Sequence, residues 1–252
     1  FENTPGYITI VIIDKAFRHM GYGTALLKKA EEYLKNAGKT IASVDFFNPI
    51  NLEWYIPGKG EHDHPNAPGV DVSGSGYEFM KKNGYMERTK EVSMYLDLKQ
   101  FQINENIYGK IEELRGKGIE LGYYDKYRHN GFDELFTDLR NEQWRKEIMD
   151  NIMMPRPYPV LVAADNGKIC AFTGPVKVQQ SGRGLFTGIG EDTAHRSLGI
   201  GTALFFMLCE SFKEAGAEFM SLFTGQRNNA RAIYEAAGFI AVKEWALFRK
   251  EI

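Results

Sequence analysis

Apolar residues recur in two periods along this chain, and the alternation between them sets out the elements. Leu204, Leu208 and Phe212 repeat at every fourth position, which places them on one face of a helix. A helix is likewise predicted over Thr24–Ala37, with Leu26, Ala30, Tyr33, Leu34 and Ala37 on its buried side and Gly38 as C-cap. Tyr7–Ile13, Ile41–Phe47, Glu91–Leu98, Gly118–Tyr124, Val160–Ala164, Ile169–Gln179, Gly184–Glu191 and Glu218–Thr224 have β character. Amphipathic stretches at Phe132–Asn141 and Glu142–Met153 predict two further helices, and Tyr77–Asn83 a short one. Asp165-Asn-Gly-Lys168 between apolar runs predicts a hairpin. Strands alternating with helices imply a mixed α/β sheet with helices on both faces.

Two stretches break the pattern. Residues 48–75 are rich in Pro, Gly and Asn and read as a long irregular loop, partly packed through Trp54, Tyr55 and Ile56. His62, Asp63 and His64 lie within it. Neighbouring histidines rarely converge on one ion without a third ligand, so a solvated turn is expected there and no metal site. Residues 99–117 are polar and glycine-interrupted, and read as a connection.

The chain repeats itself. Arg196-Ser-Leu-Gly-Ile-Gly-Thr-Ala-Leu lies where strand gives way to helix, and Arg18-His-Met-Gly-Tyr-Gly-Thr-Ala-Leu stands 178 positions earlier. At that offset Glu32 falls on Glu210, Lys35 on Lys213, and Ala37-Gly38 on Ala215-Gly216. A repeat this long means duplicated domains rather than a solenoid, whose repeats run about 20–50 residues. The expected organisation is a first domain over 1–98, a linker over 99–117 and a second domain over 118–252. The first copy has only 17 residues before its arginine, so its opening strands and helices are expected to be missing from this chain.

At a helix start the first N–H groups have no intrahelical partner and the dipole is positive. Glycines let a phosphate approach that backbone, and an arginine adds a planar cationic fork. The spacing Arg-x-x-Gly-x-Gly is therefore a candidate phosphate loop at Arg196, Gly199 and Gly201, and again at Arg18, Gly21 and Gly23. A dinucleotide fingerprint would need a third glycine, where Leu26 and Leu204 stand.

These motifs resemble the acetyl-CoA pyrophosphate loop of the GNAT superfamily of N-acetyltransferases. Asn229-Ala-Arg-Ala-Ile-Tyr-Glu-Ala-Ala-Gly-Phe239 is similar to a second motif of that family, and the two occur in the expected order. The motif's usual proline is replaced by Lys15 and Thr193. The resemblance implies two GNAT-like domains, acetyl-CoA as cosubstrate without a metal, and direct attack by an amine. It assigns the pyrophosphate to Arg196, Ser197, Leu198, Gly199, Ile200, Gly201 and Thr202, and the pantetheine arm to Ile189, Gly190 and Glu191, with Asn229 beside it. In the first copy the matching positions are Arg18, Gly21, Gly23 and Thr24. Tyr234 matches the family's thiol-protonating tyrosine, and Met80 replaces it in the first copy.

Magnitudes rank the catalytic groups. Presenting an amine of pKa about 10.4 as the free base at pH 7 costs roughly 4–5 kcal/mol, whereas a thiolate of pKa near 8.5 needs only about 2 kcal/mol of proton help. A general base is therefore the more sensitive group, and Glu191, at the end of its strand, is the candidate. The competing reading is a non-catalytic acyl-CoA-binding or sensing protein.

Composition adds bounds. A net charge of −2 gives no general attraction to nucleic acid or acidic membranes. No run reaches the roughly 18–20 apolar residues of a membrane span, and no signal peptide is visible. Two cysteines, Cys170 and Cys209, do not make a disulfide framework, which fits a reducing cytoplasm. The expected partner is a small-molecule or peptide amine, whose identity the residues do not specify. Phe132, Phe136, Arg140, Trp144 and Arg145 are expected to line its site. The oligomeric state is not fixed by the sequence.

Overall fold

The computed structural model describes residues 4–46 and 50–252. The first copy comprises β1 (Gly6–Tyr7), α1 (Tyr22–Asn36), β2 (Ile41–Val44), β3 (Trp54–Tyr55), β4 (Asp63–His64), β5 (Val70–Asp71), α2 (Ser75–Lys82) and β6 (Met86–Asp97). Next come α3 (Glu105–Gly116), β7 (Ile119–Tyr123), α4 (Phe132–Leu139), α5 (Glu142–Ile152), β8 (Leu161–Asp165) and β9 (Lys168–Thr173). The remainder is β10 (Arg183–Gly184), β11 (Ile189–Glu191), α6 (Ile200–Glu214), β12 (Phe219–Gly225), α7 (Arg231–Ala236) and β13 (Ile240–Glu251). Among the described residues, no helix is long and apolar enough to cross a membrane.

The 178-residue repeat is structural as well as sequential. α1 and α6 begin and end at equivalent positions, and Gly38 and Gly216 close them with φ of 77° and 86°. Gly6 of β1 pairs in parallel with Ala42, as Gly184 of β10 pairs with Met220 at the same offset.

The chain forms two compact units. One comprises Phe1–Met94, Phe223–Arg231 and Ala241–Ile252; the other comprises Tyr95–Leu222 and Ala232–Ile240. These units are drawn differently from the sequence copies, because Ala241–Ile252, at the end of the second copy, belongs to the first unit.

In the first unit β2 lies between β1, to which it is parallel, and β13, to which it is antiparallel, with Phe248 opposite Val44 and Glu251 opposite Ile41. β5 pairs with β13 at Trp245 and Ala246. α1 and α2 cover one face of this sheet through Leu27, Met80 and Tyr85, packed with Ala42, Ala246 and Phe248. The buried side of α1 differs from expectation. Leu26 is 52% exposed and Tyr33 and Ala37 are also exposed, whereas Leu27 is 1% exposed. The inward positions are Gly23, Leu27, Ala30, Glu31 and Leu34, the same 3.6-residue period turned by one residue. Of the expected first strand Tyr7–Ile13 only Tyr7 falls within β1, and no described strand lies beside Val11–Ile13. Ile10 and Ile12 are exposed accordingly.

Residues 50–75 are more ordered than an irregular loop. β3 and β4 form a small antiparallel pair, Trp54 opposite His64. Asp63 and His64 are buried rather than solvated, and the His64 ring stacks on Trp54 at 5.2 Å. Residues 48 and 49, which the expected loop included, and Phe47, the end of an expected strand, lie outside the described residues.

In the second unit β7, β8, β9 and β11 form an antiparallel sheet. The β8–β9 hairpin turns at Asn166 and Gly167, both left-handed, as the Asp-Asn-Gly signal predicts. α4 and α5 pack on one face of this sheet through Phe132, Leu135, Phe136 and Ile148, with Val162 and Phe172. α6 packs on β8 and β9 with ten of its residues buried, including Leu204, Leu208 and Phe212.

The expected connection contains a helix, α3. Asn104 caps it by accepting from the Ile107 N–H at 3.1 Å, and Ile107, Ile111 and Leu114 turn inward. Its polar outer face and two glycines hid that period. Replacing Leu27 by Ala should cost about 2–5 kcal/mol of stability through the cavity left in the first unit. Leu26→Ala should stay within about 0.5 kcal/mol, a contrast that urea titration of the two variants measures.

Candidate active site

The second unit places the phosphate-loop candidate where one strand changes sheets. β10 runs parallel to β12, but five residues on, β11 pairs antiparallel with β9, so the two strand ends diverge. The chain bends at Gly188, where φ is 152° and a Cβ would lie 2.6 Å from the Trp144 ring. Only glycine fits there. Trp144 also donates its indole N–H to the Thr187 carbonyl at 3.1 Å.

Beyond Glu191, Asp192 caps a 3-10 turn at Thr193–His195 by accepting from the His195 N–H. Ser197 and Gly199 then adopt left-handed backbone, φ 68° and 84°, and α6 starts at Ile200 with no side-chain cap. Left-handed backbone at a non-glycine residue costs about 1–2 kcal/mol, so Ser197 is held by the turns around it. The first i→i−4 bond is from Ala203 N–H to Gly199 O, leaving the earlier amides of the turn without an intrahelical partner. Arg196 is exposed beside them.

The first unit builds the same loop. Asp14 caps a 3-10 turn at Lys15–Phe17, His19 and Gly21 are left-handed at φ 64° and 86°, and α1 follows. Arg18 differs from its counterpart by donating its Nε to the Ile13 carbonyl at 3.1 Å.

The copies also differ at Ile13 and Glu191, which are equivalent positions. Glu191 Oε2 accepts from the Gly201 N–H at 3.2 Å, so a carboxylate stands on one of the free amides of the helix start. Burial raises the Glu191 pKa, partly offset by that hydrogen bond. In the first copy the Ile13 side chain offers no acceptor, and a Cβ on Gly23 would meet the Phe79 ring at 3.2 Å.

Tyr234 lies on α7 with its ring packed against Phe205 of α6 at 4.9 Å and against Phe186 and Phe239 at 6.0 and 6.1 Å. It is 6% exposed, and burial pushes its pKa up to about 12. Its hydroxyl has no hydrogen-bond partner among the described residues. Met80, its counterpart, is a core side chain of the first unit.

Asn229 falls in the first unit, exposed. Its neighbour Asn228 does the local capping, accepting from the Ala230 N–H at 3.0 Å. Phe132 and Phe136 are core residues, and Arg145 pairs with Asp133 and Glu142, so these do not form an open wall. Two residues that sequence reasoning missed stand at the loop. The Lys110 stem lies over Gly199, where a Cβ would be 3.4 Å from its Cδ, and its ammonium pairs with Glu113. The i, i+3 spacing of Lys110 and Glu113 is the signal, visible only once α3 is read as a helix.

His195 bridges the loop to the hairpin, with Nδ1 2.7 Å from Asp192 and Nε2 3.5 Å from Asp165. Burial alone pulls its pKa down, but the two aspartates outweigh burial and raise it. A raised histidine pKa contributes stability that is complete below about pH 6.5 and is lost as pH rises through the folded value. Melting temperatures of wild type and His195→Gln should therefore differ most at mildly acidic pH and converge at alkaline pH.

Comparison with known proteins agrees with this geometry. A family model described as the acetyltransferase (GNAT) family matches residues 2–55 and 124–239. A search of curated protein sequences returns no match. Among solved structures, a GCN5-related glucosamine N-acetyltransferase region of a fungal multi-domain GH3 β-N-acetylglucosaminidase is similar at TM-score 0.70 and 15% identity, covering 98% of this chain and 30% of that one. A GCN5-related N-acetyltransferase from Sphaerobacter thermophilus is similar at TM-score 0.62 and 19% identity, over 95% and 70% of the two chains. A tandem GNAT protein from the clavulanic acid biosynthesis pathway is similar at TM-score 0.58 and 15% identity, over 97% and 74%. The chain thus spans less than a third of the length of the first of these. With the family model matching more than half its length, in both copies of the loop, the chain belongs to the acetyltransferase (GNAT) family.

Proposed function

We propose that this protein transfers an acetyl group from acetyl-CoA to an amine by direct attack, with the chemistry in the second copy. The observation that carries this reading is Tyr234, whose unbonded hydroxyl is packed through its ring onto Phe205 of the helix that begins at the phosphate loop. The free amides at the start of α6, with Arg196 and the Lys110 stem beside them, fit a pyrophosphate. The pantetheine arm enters where β11 parts from β12 and hydrogen-bonds the backbone of Ile189–Glu191. The amine nitrogen attacks the acetyl carbonyl carbon, the ammonium loses a proton to the base, and the C–S bond breaks. Tyr234 gives its proton to the departing thiolate.

Glu191 is the proposed base. Pyrophosphate takes the Gly201 N–H, and the released carboxylate, its pKa raised by burial, accepts the ammonium proton. Tyr234→Phe should lower turnover modestly and spare acetyl-CoA affinity. Glu191→Gln should lower turnover more at neutral pH while tightening acetyl-CoA, because a competing anion leaves the loop. Steady-state kinetics and calorimetry separate the two effects, and a Glu191→Gln pH–rate profile that overlays wild type assigns the base elsewhere.

One observation favours a second reading, a non-catalytic acyl-CoA-binding protein. The Glu191 carboxylate closes the second loop to phosphate, while Ile13 leaves the first loop open, and Met80 beside that loop's helix supplies no proton. Under that reading CoA thiol release is absent with any amine. Gly201→Glu should abolish acetyl-CoA binding and turnover if the second copy is the reactive one, and Gly23→Glu should leave turnover in place. The reverse pattern in calorimetry and thiol release reassigns the site to the first copy.

A further inference from the structure

Glu91 is the carboxylate of the first unit that neither the fold nor the proposed chemistry uses. It lies on β6, is 6% exposed, and makes no hydrogen bond or ion pair among the described residues. Its pKa is pushed up to about 7 by burial alone. An unpaired buried carboxylate is costly, and a strand position of this kind is more stable with an apolar or amide side chain.

Its surroundings are a wall of rings. The Gln226 N–H donates to the Lys90 carbonyl at 3.0 Å, which brings Gly225 alongside Glu91, and a Cβ on Gly225 would lie 3.7 Å from Glu91 Oε1. Side chains two apart on a strand share a face, so Phe223 faces the same way as Gly225, and Ser93 the same way as Glu91. Ser93 Oγ accepts from the Trp245 indole N–H at 2.9 Å, which puts Trp245 on this face as well. Trp54 meets Trp245 edge-on at 5.3 Å, and His64, stacked on Trp54, lies 6.1 Å from Phe223. The wall already holds one cation on its rim. Lys243 Nζ sits 5.2 Å from the centroids of both Trp54 and Trp245, anchored by Asp71 at 2.8 Å.

We propose that Glu91 is the anchor of a binding subsite for a primary ammonium group, whose apolar body lies against Phe223, Trp54 and Trp245. The ammonium supplies the charge-assisted hydrogen bonds that Glu91 lacks. Ring faces accept the adjacent carbon chain and the residual positive charge. The 50–72 segment contributes Trp54 and His64, which gives that insertion a role in ligand selection. This subsite takes protonated amines with an aromatic or extended apolar body, ahead of neutral, polyhydroxylated or anionic ligands.

The test is calorimetry on the full chain without acetyl-CoA, using 2-phenylethylamine and 1,4-diaminobutane as probes and 2-phenylethanol as the neutral counterpart. Wild type should bind at least one amine, with the alcohol at least tenfold weaker than 2-phenylethylamine, and Glu91→Gln should weaken amine binding at least tenfold. Absence of amine binding to wild type, equal binding of the alcohol, or unchanged binding to Glu91→Gln overturns the proposal. The amine–alcohol comparison uses wild type alone and survives a variant that misfolds. Acetyl-CoA is titrated separately. Its failure to bind sinks the transfer reading while amine binding still reports on Glu91.

Discussion

Two left-handed residues flanking one ordinary residue, placed between a 3-10 turn and a helix, are the backbone constraint that both copies of the loop share. Ser197 and Gly199 in one copy, and His19 and Gly21 in the other, turn the backbone so that a helix starts without an N-cap side chain, and in the second copy the Glu191 carboxylate reaches the Gly201 N–H instead. Everything near them serves to hold or use that opening. Asp192 and Asp14 fix the preceding turn from below. His195 ties it to the hairpin, and Trp144 packs on the strand before it at Gly188, where no Cβ fits. A helix capped by glycine is less stable than one that begins with Ser, Thr or Asp, by roughly a few tenths of a kcal/mol. That deficit is also what leaves the amides available to an anion.

The repeat was fully legible because backbone geometry this constrained leaves few residue choices. The first glycine of each loop, Gly21 and Gly199, the helix-closing Gly38 and Gly216, and the hairpin at Asn166-Gly167 all sit at positive φ, where sequence and conformation are tied closely. Legibility fell where the fold depends on a partner rather than on local conformation. The periodicity of α1 was visible, but the chain does not say which side of a half-polar helix meets the sheet, and the choice between Leu26 and Leu27 followed from packing against Phe248 and Ala42. Nor does a strand name its neighbour: β13 has ordinary β character, and its pairing with β2 is a tertiary fact. α3 was hidden because its three inward residues are diluted by charged ones.

The site shows the same division. Tyr234 and the loop glycines were identified by motif, and the structure puts the tyrosine ring on the loop's own helix. The orientation of Glu191 was not legible, since a strand-end carboxylate can turn either to the cleft or to the helix start, and here it reaches Gly201. Asn228 caps the turn before α7, and nothing in the spacing singles it out from Asn229. Glu91 gave no signal at all. A single glutamate in a strand reads as solvent-facing until its neighbours are known.

The placement of Ala241–Ile252 in the first unit bears on how the chain reaches its native state. Lys250 pairs with Glu31 across 219 residues of sequence, and Phe248 joins the core under α1. Contacts of such separation form slowly, because loop closure must precede any gain from them. During synthesis, the first copy's sheet therefore lacks β13 until Ala241–Ile252 has been made, with β2 meanwhile exposing an unpaired edge. The second unit's antiparallel strands and α6 lie close in sequence and can assemble first. The two copies are thus bound into a single folding order, in which a strand at the end of the second copy completes the sheet of the first.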